Sequence, residues 1–305
     1  MSLIEISNLT KRFGKKVVLE NVNLNIQEGK ILGIIGTNGS GKTTLLNMLV
    51  GFYKPTKGSL LFQSKDIQEN LKEVKRKFGF ATQYNCFYPH LTAAENIAYF
   101  GAVYGLDKHT ISTRTIELLK MVDLYEARDV LSSHLSMGMQ RRLDIACSLI
   151  HDPEVLILDE PTEDLDPGLR RDMLALIKKV NSSGTTVILT SHLLSEVEEV
   201  CDRIAIIDNH TILKEGTVDQ LRGTKHEEIH LQTTPGDYKR IVAHLNKNQI
   251  SSAVIKEHKL LIHTEKPETV LIDLLRITKG MREKIEYIDV RKPSLAEVFE
   301  DLIEK

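Results

Sequence analysis

The sequence predicts an α/β chain built around a phosphate-binding loop, followed by a small α+β domain, and three observations carry that prediction. Short apolar runs at residues 31–35, 155–158, 186–189 and 203–207 have strand length, and a helical stretch separates the second from the third, as in α/β units. Residues 36–44 read Gly-Thr-Asn-Gly-Ser-Gly-Lys-Thr-Thr, a complete Walker A loop between the first of those strands and the run Leu45-Leu46-Asn47-Met48-Leu49. From residue 228 onward the pattern becomes β-α-β-β-α-β, the order of a split-βαβ sandwich.

Along the chain, residues 3–6, 17–19 and 21–26 alternate apolar and polar side chains, as strands of a half-buried sheet do. The turn 27–30 leads into the strand before the Walker A loop, and a further strand pair is expected at 59–62 and 78–81. From about 92 to 150 the period turns helical. Thr92-Ala93-Ala94-Glu95 is a capping box opening the helix that carries Ile97 and Phe100. A second helix is expected over 111–122 and a third after Ser136. The organisation changes around residues 216–223. Beyond it the expected elements are strand 228–232, helix 237–246, strands 252–255 and 259–263, helix 267–278, strand 284–290 and helix 295–303. This tail shows no glycine-rich loop and no cluster of metal ligands, and reads as a structural or docking module.

The chemistry begins at the loop. Gly36, Gly39 and Gly41 let the backbone curl so that successive N–H groups point at phosphate oxygens, with a helix N-terminus behind them. Thr37, Asn38, Ser40 and Thr44 complete the nucleotide-binding stretch. Lys42 reaches the β- and γ-phosphates, and the Thr43 hydroxyl holds Mg²⁺. A nucleoside triphosphate is therefore the expected ligand. Residues 155–162, Val-Leu-Ile-Leu-Asp-Glu-Pro-Thr, read as a Walker B strand. Asp159 is placed to hold Mg²⁺ through water, and Glu160 to act as general base towards an attacking water.

Composition narrows the class. A chain of 305 residues with 41% hydrophobic and 27% charged residues can bury the cores of two ordinary globular domains. A formal charge of −2 gives no global electrostatic reason to expect nucleic-acid binding. Cys86, Cys147 and Cys201 are too few and too scattered for a disulfide framework or a zinc site, which fits a reducing cytosol. The first residues carry an acid and lack a secretory signal pattern, and no apolar run is long enough to span a bilayer. A role at a membrane would need another chain to supply the membrane part.

Residues 135–143, Leu-Ser-Met-Gly-Met-Gln-Arg-Arg-Leu, resemble the signature motif of ATP-binding-cassette (ABC) ATPases, just upstream of the Walker B strand as in that family. Gln83 matches the Q-loop glutamine, Leu165-Asp166-Pro167 the D-loop, Ser191-His192 the switch histidine, and Phe13 the aromatic that stacks on adenine. The resemblance covers roughly residues 1–220. It implies a P-loop NTPase of the ABC cassette type, a mixed-sheet core with a helical subdomain at about 92–150, and leaves 221–305 as an α+β split-βαβ accessory domain. It implies that Ser136 and Gly138, at the start of a helix, bind the γ-phosphate of a nucleotide held by a partner cassette, so that two chains sandwich two ATP molecules. Gln83 is then expected in the Mg²⁺ and water shell with Thr43 and Asp159, and His192 on the γ-phosphate. Stacking on Phe13 tolerates any base, so GTP stays open.

Two departures stand out. Met137 and Met139 replace residues of the usual Leu-Ser-Gly-Gly-Gln signature, while Ser136 and Gly138 remain. In Glu163-Asp164-Leu165-Asp166, Asp164 stands where the family has glycine, a turn that aspartate tolerates, and two added carboxylates near a dimer seam are expected to repel. The loop Tyr84-Asn85-Cys86-Phe87-Tyr88-Pro89-His90 lies where family transporters receive a short helix of the membrane-spanning subunit, although its aromatics also suit local core. The ending Pro293-Ser294-Leu295-Ala296-Glu297-Val298-Phe299 resembles that of ATPases paired with drug, antibiotic, sodium or polysaccharide exporters, with Ser294 equally suited to cap a helix. The expected function is the ATPase subunit of an exporter, peripheral on the cytoplasmic face of the membrane. The alternatives are a stand-alone regulatory ABC ATPase, or a translation- or DNA-associated one, against which one cassette and no extended heptad run argue.

Overall fold

A computed structural model describes residues 2–222, 227–245, 249–256, 259–292 and 294–303, the last four through their backbone alone. Gly223, Asn246 and Pro293, placed by the sequence at the change of organisation, the end of a helix and the start of the exporter-like ending, lie outside the described residues. The chain divides into two compact units, Met1–Val218 and Asp219–Lys305.

The first unit opens on the antiparallel pair β1 (Ser2–Phe13) and β2 (Lys16–Gln27). The sequence pattern suggests two strands between 17 and 26, and the structure has one. Asn21 takes φ 50°, and the pairing slips between Leu9↔Val22 and Lys11↔Leu19, so a bulge bends β2 without ending it. The fully buried β3 (Ile31–Ile35) runs into α1 (Lys42–Leu49). β4 (Lys57–Phe62) and the short β5 (Lys65–Asp66) complete a sheet of order β2-β1-β4-β5.

After α2 (Leu71–Lys77) and β6 (Phe78–Ala81) comes the helical region: α3 (Ala93–Val103), α4 (Lys108–Met121) and α5 (Met137–Leu149). The Thr92/Glu95 capping box forms in both directions, Glu95 N donating to Thr92 Oγ1 at 3.2 Å and Thr92 N to Glu95 Oε2 at 2.8 Å. α4 starts earlier than expected because Asp107 accepts from the backbone N–H groups of His109 and Thr110.

β7 (Val155–Leu158), α6 (Pro167–Ser182), β8 (Thr186–Ser191), α7 (Leu194–Val200), β9 (Arg203–Asp208) and β10 (Thr211–Gly216) finish the unit. The second sheet has the order β10-β9-β3-β8-β7-β6, parallel throughout except for β10. One apolar core joins the two sheets through α1: Ile4 and Leu60, then Leu45, Leu46 and Met48, then Ile34 and Ile188 are all buried. Each such side chain contributes about 1.5–3 kcal/mol. The loop between β3 and α1 is thus anchored at both ends.

α8 (Val218–Arg222) spans the division. The second unit contains β11 (Glu227–Thr234), α9 (Tyr238–His244), β12 (Ser252–Lys256), β13 (Lys259–Thr264), α10 (Pro267–Met281), β14 (Lys284–Arg291) and α11 (Leu295–Ile303). Its antiparallel sheet has the order β12-β13-β11-β14. Ile229, Leu231, Leu260 and Ile262 face Ile241 of α9 and Leu274 of α10 in a separate core. Strand alternation therefore puts Glu228 and His230 on the opposite face.

Candidate active site

The site assembles at the carboxyl ends of the parallel strands, where open α/β sheets bind ligands. The Walker A loop follows β3, Gln83 follows β6, Glu160 follows β7, His192 follows β8 and His210 follows β9.

In the loop, Gly39 and Gly41 take φ 83° and 108°, angles that only glycine adopts freely. A Cβ on Gly36 would lie 2.2 Å from the Ile207 carbonyl oxygen, and one on Gly41 2.8 Å from that of Val18. The backbone is therefore pressed between β9 and β2. The Lys42 ammonium folds back over the loop, donating to Gly36 O at 2.9 Å and to Thr37 O at 3.4 Å, with Glu160 Oε1 at 3.4 Å. A buried cation needs such partners. Thr37 donates to Asp208 at 3.1 Å, which ties the loop to the end of β9.

β7 is buried along its length and delivers two carboxylates at its end. Thr190 of β8 joins them: its hydroxyl donates to Asp159 Oδ1 at 2.6 Å and accepts from Glu160 N at 2.9 Å. Glu160 takes φ 49° and is 7% exposed. Its Oε2 accepts from His192 N at 3.2 Å and lies 3.0 Å from His192 Nδ1. One carboxylate thus stands between the Lys42 ammonium and the His192 imidazole.

Around these groups lies a cavity of about 420 Å³, lined by Lys16, Val18, Asn38, Gly39, Gly41, Lys42, Thr43, Thr44, Gln83, Glu160, Glu163 and His210. Of the residues singled out in the sequence, Gly36, Thr37 and Ser40 support the loop from outside this lining, and Asp159 lies behind Glu160 with its carboxylate on Thr190. Phe13 is not in the lining. Its ring meets Tyr53 edge-on at 5.2 Å, with the Lys11 ammonium 4.7 Å from its centroid. Ser136 and Gly138 also stand apart from the cavity, at the start of α5. There Ser136 Oγ accepts from Met139 N at 3.4 Å, Gly138 packs against Leu169, and Met137 is 53% exposed.

Gln83, expected in a Mg²⁺ shell, donates its side-chain amide to Glu163 in this structure. Glu163, one of the two added carboxylates expected near a dimer seam, lines the same cavity as Gln83. Asp164 takes φ 61° in the glycine position, so the turn survives and directs Glu163 inward, while Asp166 caps α6 through Gly168 N and Leu169 N. In the aromatic loop, Tyr84 and Tyr88 are exposed but Phe87 is buried, so only two of its three aromatics present a surface.

Some residues of the site carry no motif. Glu196 of α7 is buried and accepts from both Thr162 Oγ1 and Ser191 Oγ, joining the segments after β7 and β8. Asp144 of α5 is 3% exposed and accepts from Cys86 N at 2.9 Å. Burial pushes its pKa up to about 7, against the pull of that N–H and of Arg141. Arg141 donates to the carbonyls of Thr82 and Gln83, and Asn85 donates to Gln140 at 3.0 Å. The Q-loop is fastened to the helix that carries the signature.

Hydroxyl, amide and carboxylate oxygens in the lining suit a hard cation such as Mg²⁺, and the glycine cradle with its lysine suits a triphosphate. The fold and this cavity define a P-loop nucleoside triphosphatase. Among known proteins, the ABC transporter family matches residues 19–163. The linearmycin resistance ATP-binding protein LnrL of Bacillus subtilis (strain 168) is 32% identical over 308 residues, covering 98% of this chain and 98% of that protein. A Nod factor export ATP-binding protein I of Cupriavidus metallidurans is 35% identical over 220 residues, covering 72% and 73%. A solved dimeric ATP-binding cassette in a post-hydrolysis state, bound to ADP and Pi, superposes with a TM-score of 0.64 at 30% identity, covering 71% of this chain and 99% of that one. The chain belongs to the ATP-binding-cassette transporter family. Membership implies an ATP-binding and ATP-hydrolysing cassette that uses ATP and Mg²⁺ in the service of transport. No helix among the described residues is long and apolar enough to cross a membrane.

Proposed function

We propose that this chain is the ATPase subunit of a membrane exporter, acting as a pair of cassettes on the cytoplasmic face of a separate membrane-spanning subunit. The observation that carries the catalytic part is the Lys42–Glu160–His192 arrangement beside the phosphate cradle. Lys42 would exchange its loop carbonyls for β- and γ-phosphate oxygens. Glu160, released from the ammonium, would accept a proton from an in-line water, and His192 would orient that water. Mg²⁺ held by Thr43, Gln83 and Asp159 would neutralise charge on the phosphates, and Phe13 would stack on the base. Gln83 must leave Glu163 to take that part, which couples its position to the nucleotide.

The exposed Ser136 and buried Gly138 at the start of α5 suit a partner's γ-phosphate, and the related cassette solved as a dimer supports pairing. The export-linked and resistance-linked names of the relatives support the direction of transport. An apolar groove of about 540 Å³, lined in part by Phe52, Phe78, Phe80, Val103 and Tyr104, with Lys72, Lys75 and Arg76, supports docking of a membrane-subunit segment.

The test is light scattering of the Glu160→Gln variant with and without MgATP, at low and moderate salt, beside its hydrolysis rate. Turnover is expected to fall by about a thousandfold while ATP stays bound and the chain shifts to a dimer. Undiminished hydrolysis removes Glu160 from the mechanism. A monomer with bound ATP overturns pairing by the cassettes alone.

A further inference from the structure

The polar face of the second unit's sheet gathers a side-chain cluster that the nucleotide chemistry does not use. Antiparallel pairing sets Glu228 of β11 opposite His263 of β13 on one side and opposite Arg291 of β14 on the other. His230 stands two residues along the same face, and α11 adds Glu297. Glu228 is 3% exposed, and its carboxylate lies 3.1 Å from His230 Nε2 and 3.5 Å from His263 Nδ1. One ligand atom from each of Glu228, His230 and Glu297 falls within 4.8 Å of the others. Arg291 crosses this group, with Nε 3.3 Å from His230 Nε2 and Nη2 2.6 Å from Glu297 Oε1.

Two features go beyond an ordinary ion-pair network. A carboxylate buried this deeply is costly unless a cation compensates it. In addition, the single nitrogen His230 Nε2 faces both a donor, the Arg291 Nε–H, and an acceptor, Glu228 Oε2. An imidazole nitrogen satisfies one or the other, not both. A metal ion on that lone pair resolves the conflict, because the ion then also takes the two carboxylates. The guanidinium is free to turn outward, its side chain being 44% exposed already.

We propose that Glu228, His230, His263 and Glu297 form a binding site for a transition-metal dication, with Zn²⁺ the ion that fits best. Two imidazoles and two carboxylates are the donor set of Zn²⁺, whereas Mg²⁺ and Ca²⁺ prefer oxygen alone. Four protein ligands fill a tetrahedral shell and leave no open position, which makes the site structural and not catalytic. Bonds of about 2.1 Å bring the donors to roughly 3.4 Å from one another, so the ligand atoms of Glu228, His230 and Glu297, which lie within 4.8 Å of one another, draw together, and His263 must swing in from its place 3.5 Å from Glu228. The ion would clasp α11 onto the sheet. The sequence shows no such cluster because its members lie at 228, 230, 263 and 297, a spacing that matches no metal motif and is brought together only by strand register.

The test uses the full chain, stripped by chelation and free of nucleotide, titrated with Zn²⁺ in a calorimeter and with Co²⁺ by visible absorption. One Zn²⁺ per chain in the micromolar range or tighter is expected, with the strong visible bands of tetrahedral Co²⁺. His230→Gln and His263→Gln should each weaken Zn²⁺ binding by at least about tenfold, and Arg291→Gln should tighten it by removing the competing cation. Absence of binding overturns the proposal, and so does affinity unchanged in both histidine variants, which puts the ion elsewhere. If the histidine variants fail to fold, Arg291→Gln decides: tighter binding supports the site, and unchanged binding overturns it.

Discussion

The two units place their polar chemistry in different ways. In the first, the phosphate cradle occupies consecutive residues 36–44, and each further group follows directly on a parallel strand. In the second, the polar cluster is collected from β11, β13, β14 and α11, and exists only if the strands pair in one register. Chemistry of the first kind depends on local backbone angles, such as those of Gly39 and Gly41. Chemistry of the second kind depends on long-range pairing, and a one-residue slip would send His230 to the apolar face.

Four substitutions probe that contrast within the first unit. The largest effect on the nucleotide is expected from Lys42→Ala, which removes the cradle's only lysine. ATP affinity should fall by about a hundredfold, because the ammonium's charge-assisted hydrogen bonds to the phosphates go with it. Equilibrium binding of a fluorescent ATP analogue checks this, and unchanged affinity would contradict the cradle. Next comes Ser136→Arg, a local change whose consequence requires a partner. Hydrolysis should drop by more than about tenfold while ATP binding to the isolated chain is retained, since Ser136 stands apart from the chain's own cavity. Normal hydrolysis in this variant rules out a composite site.

Asp144→Asn tests a group defined by long-range packing. Asp144 has a folded pKa of about 7, raised from 3.8 by burial. Its raised value means the folded state holds a proton that the unfolded chain releases, so stability falls as pH rises from about 4 to about 7 and stays lower above. The asparagine variant lacks this loss. It should be more stable than the parent by a few kcal/mol near pH 8, with the gap closing towards pH 4, in urea titrations at several pH values. A constant gap across that range would show that Asp144 does not titrate there. The smallest effect is expected from Glu163→Ser. Removing an anion from the cavity and freeing Gln83 should raise MgATP affinity two- to fivefold at low salt and less at high salt (about 0.4–1 kcal/mol). Weaker binding would show that Glu163 supports the nucleotide.

The same contrast explains what is legible in the sequence. The Walker loop, the acids after β7 and the Thr92/Glu95 box are short-range patterns whose geometry follows from their own residues, and each forms where its motif stands. Alternation lapses at Asn21 and suggests a strand break, yet the backbone continues there through a positive φ. Thr190 and Glu196 carry no motif, and their roles appear only when β7 and β8 lie side by side. The direction of Glu163 is set by the turn at Asp164, and a turn's direction is not encoded in charge, so its place in the cavity lining appears only in the structure.

The attachment of the Q-loop to α5 bears on how such cassettes are recombined. Thr82, Gln83, Asn85 and Cys86 are bonded to Arg141, Gln140 and Asp144, so loop and helix form one inherited block although more than fifty residues separate them. A chimaera that keeps residues 82–86 but takes 140–144 from a parent lacking Arg141 and Asp144 would leave the loop carbonyls without their guanidinium and Cys86 N without its carboxylate, and the reverse exchange would break the Asn85–Gln140 bond. Crossover points placed before β6 and after α5 keep the block whole.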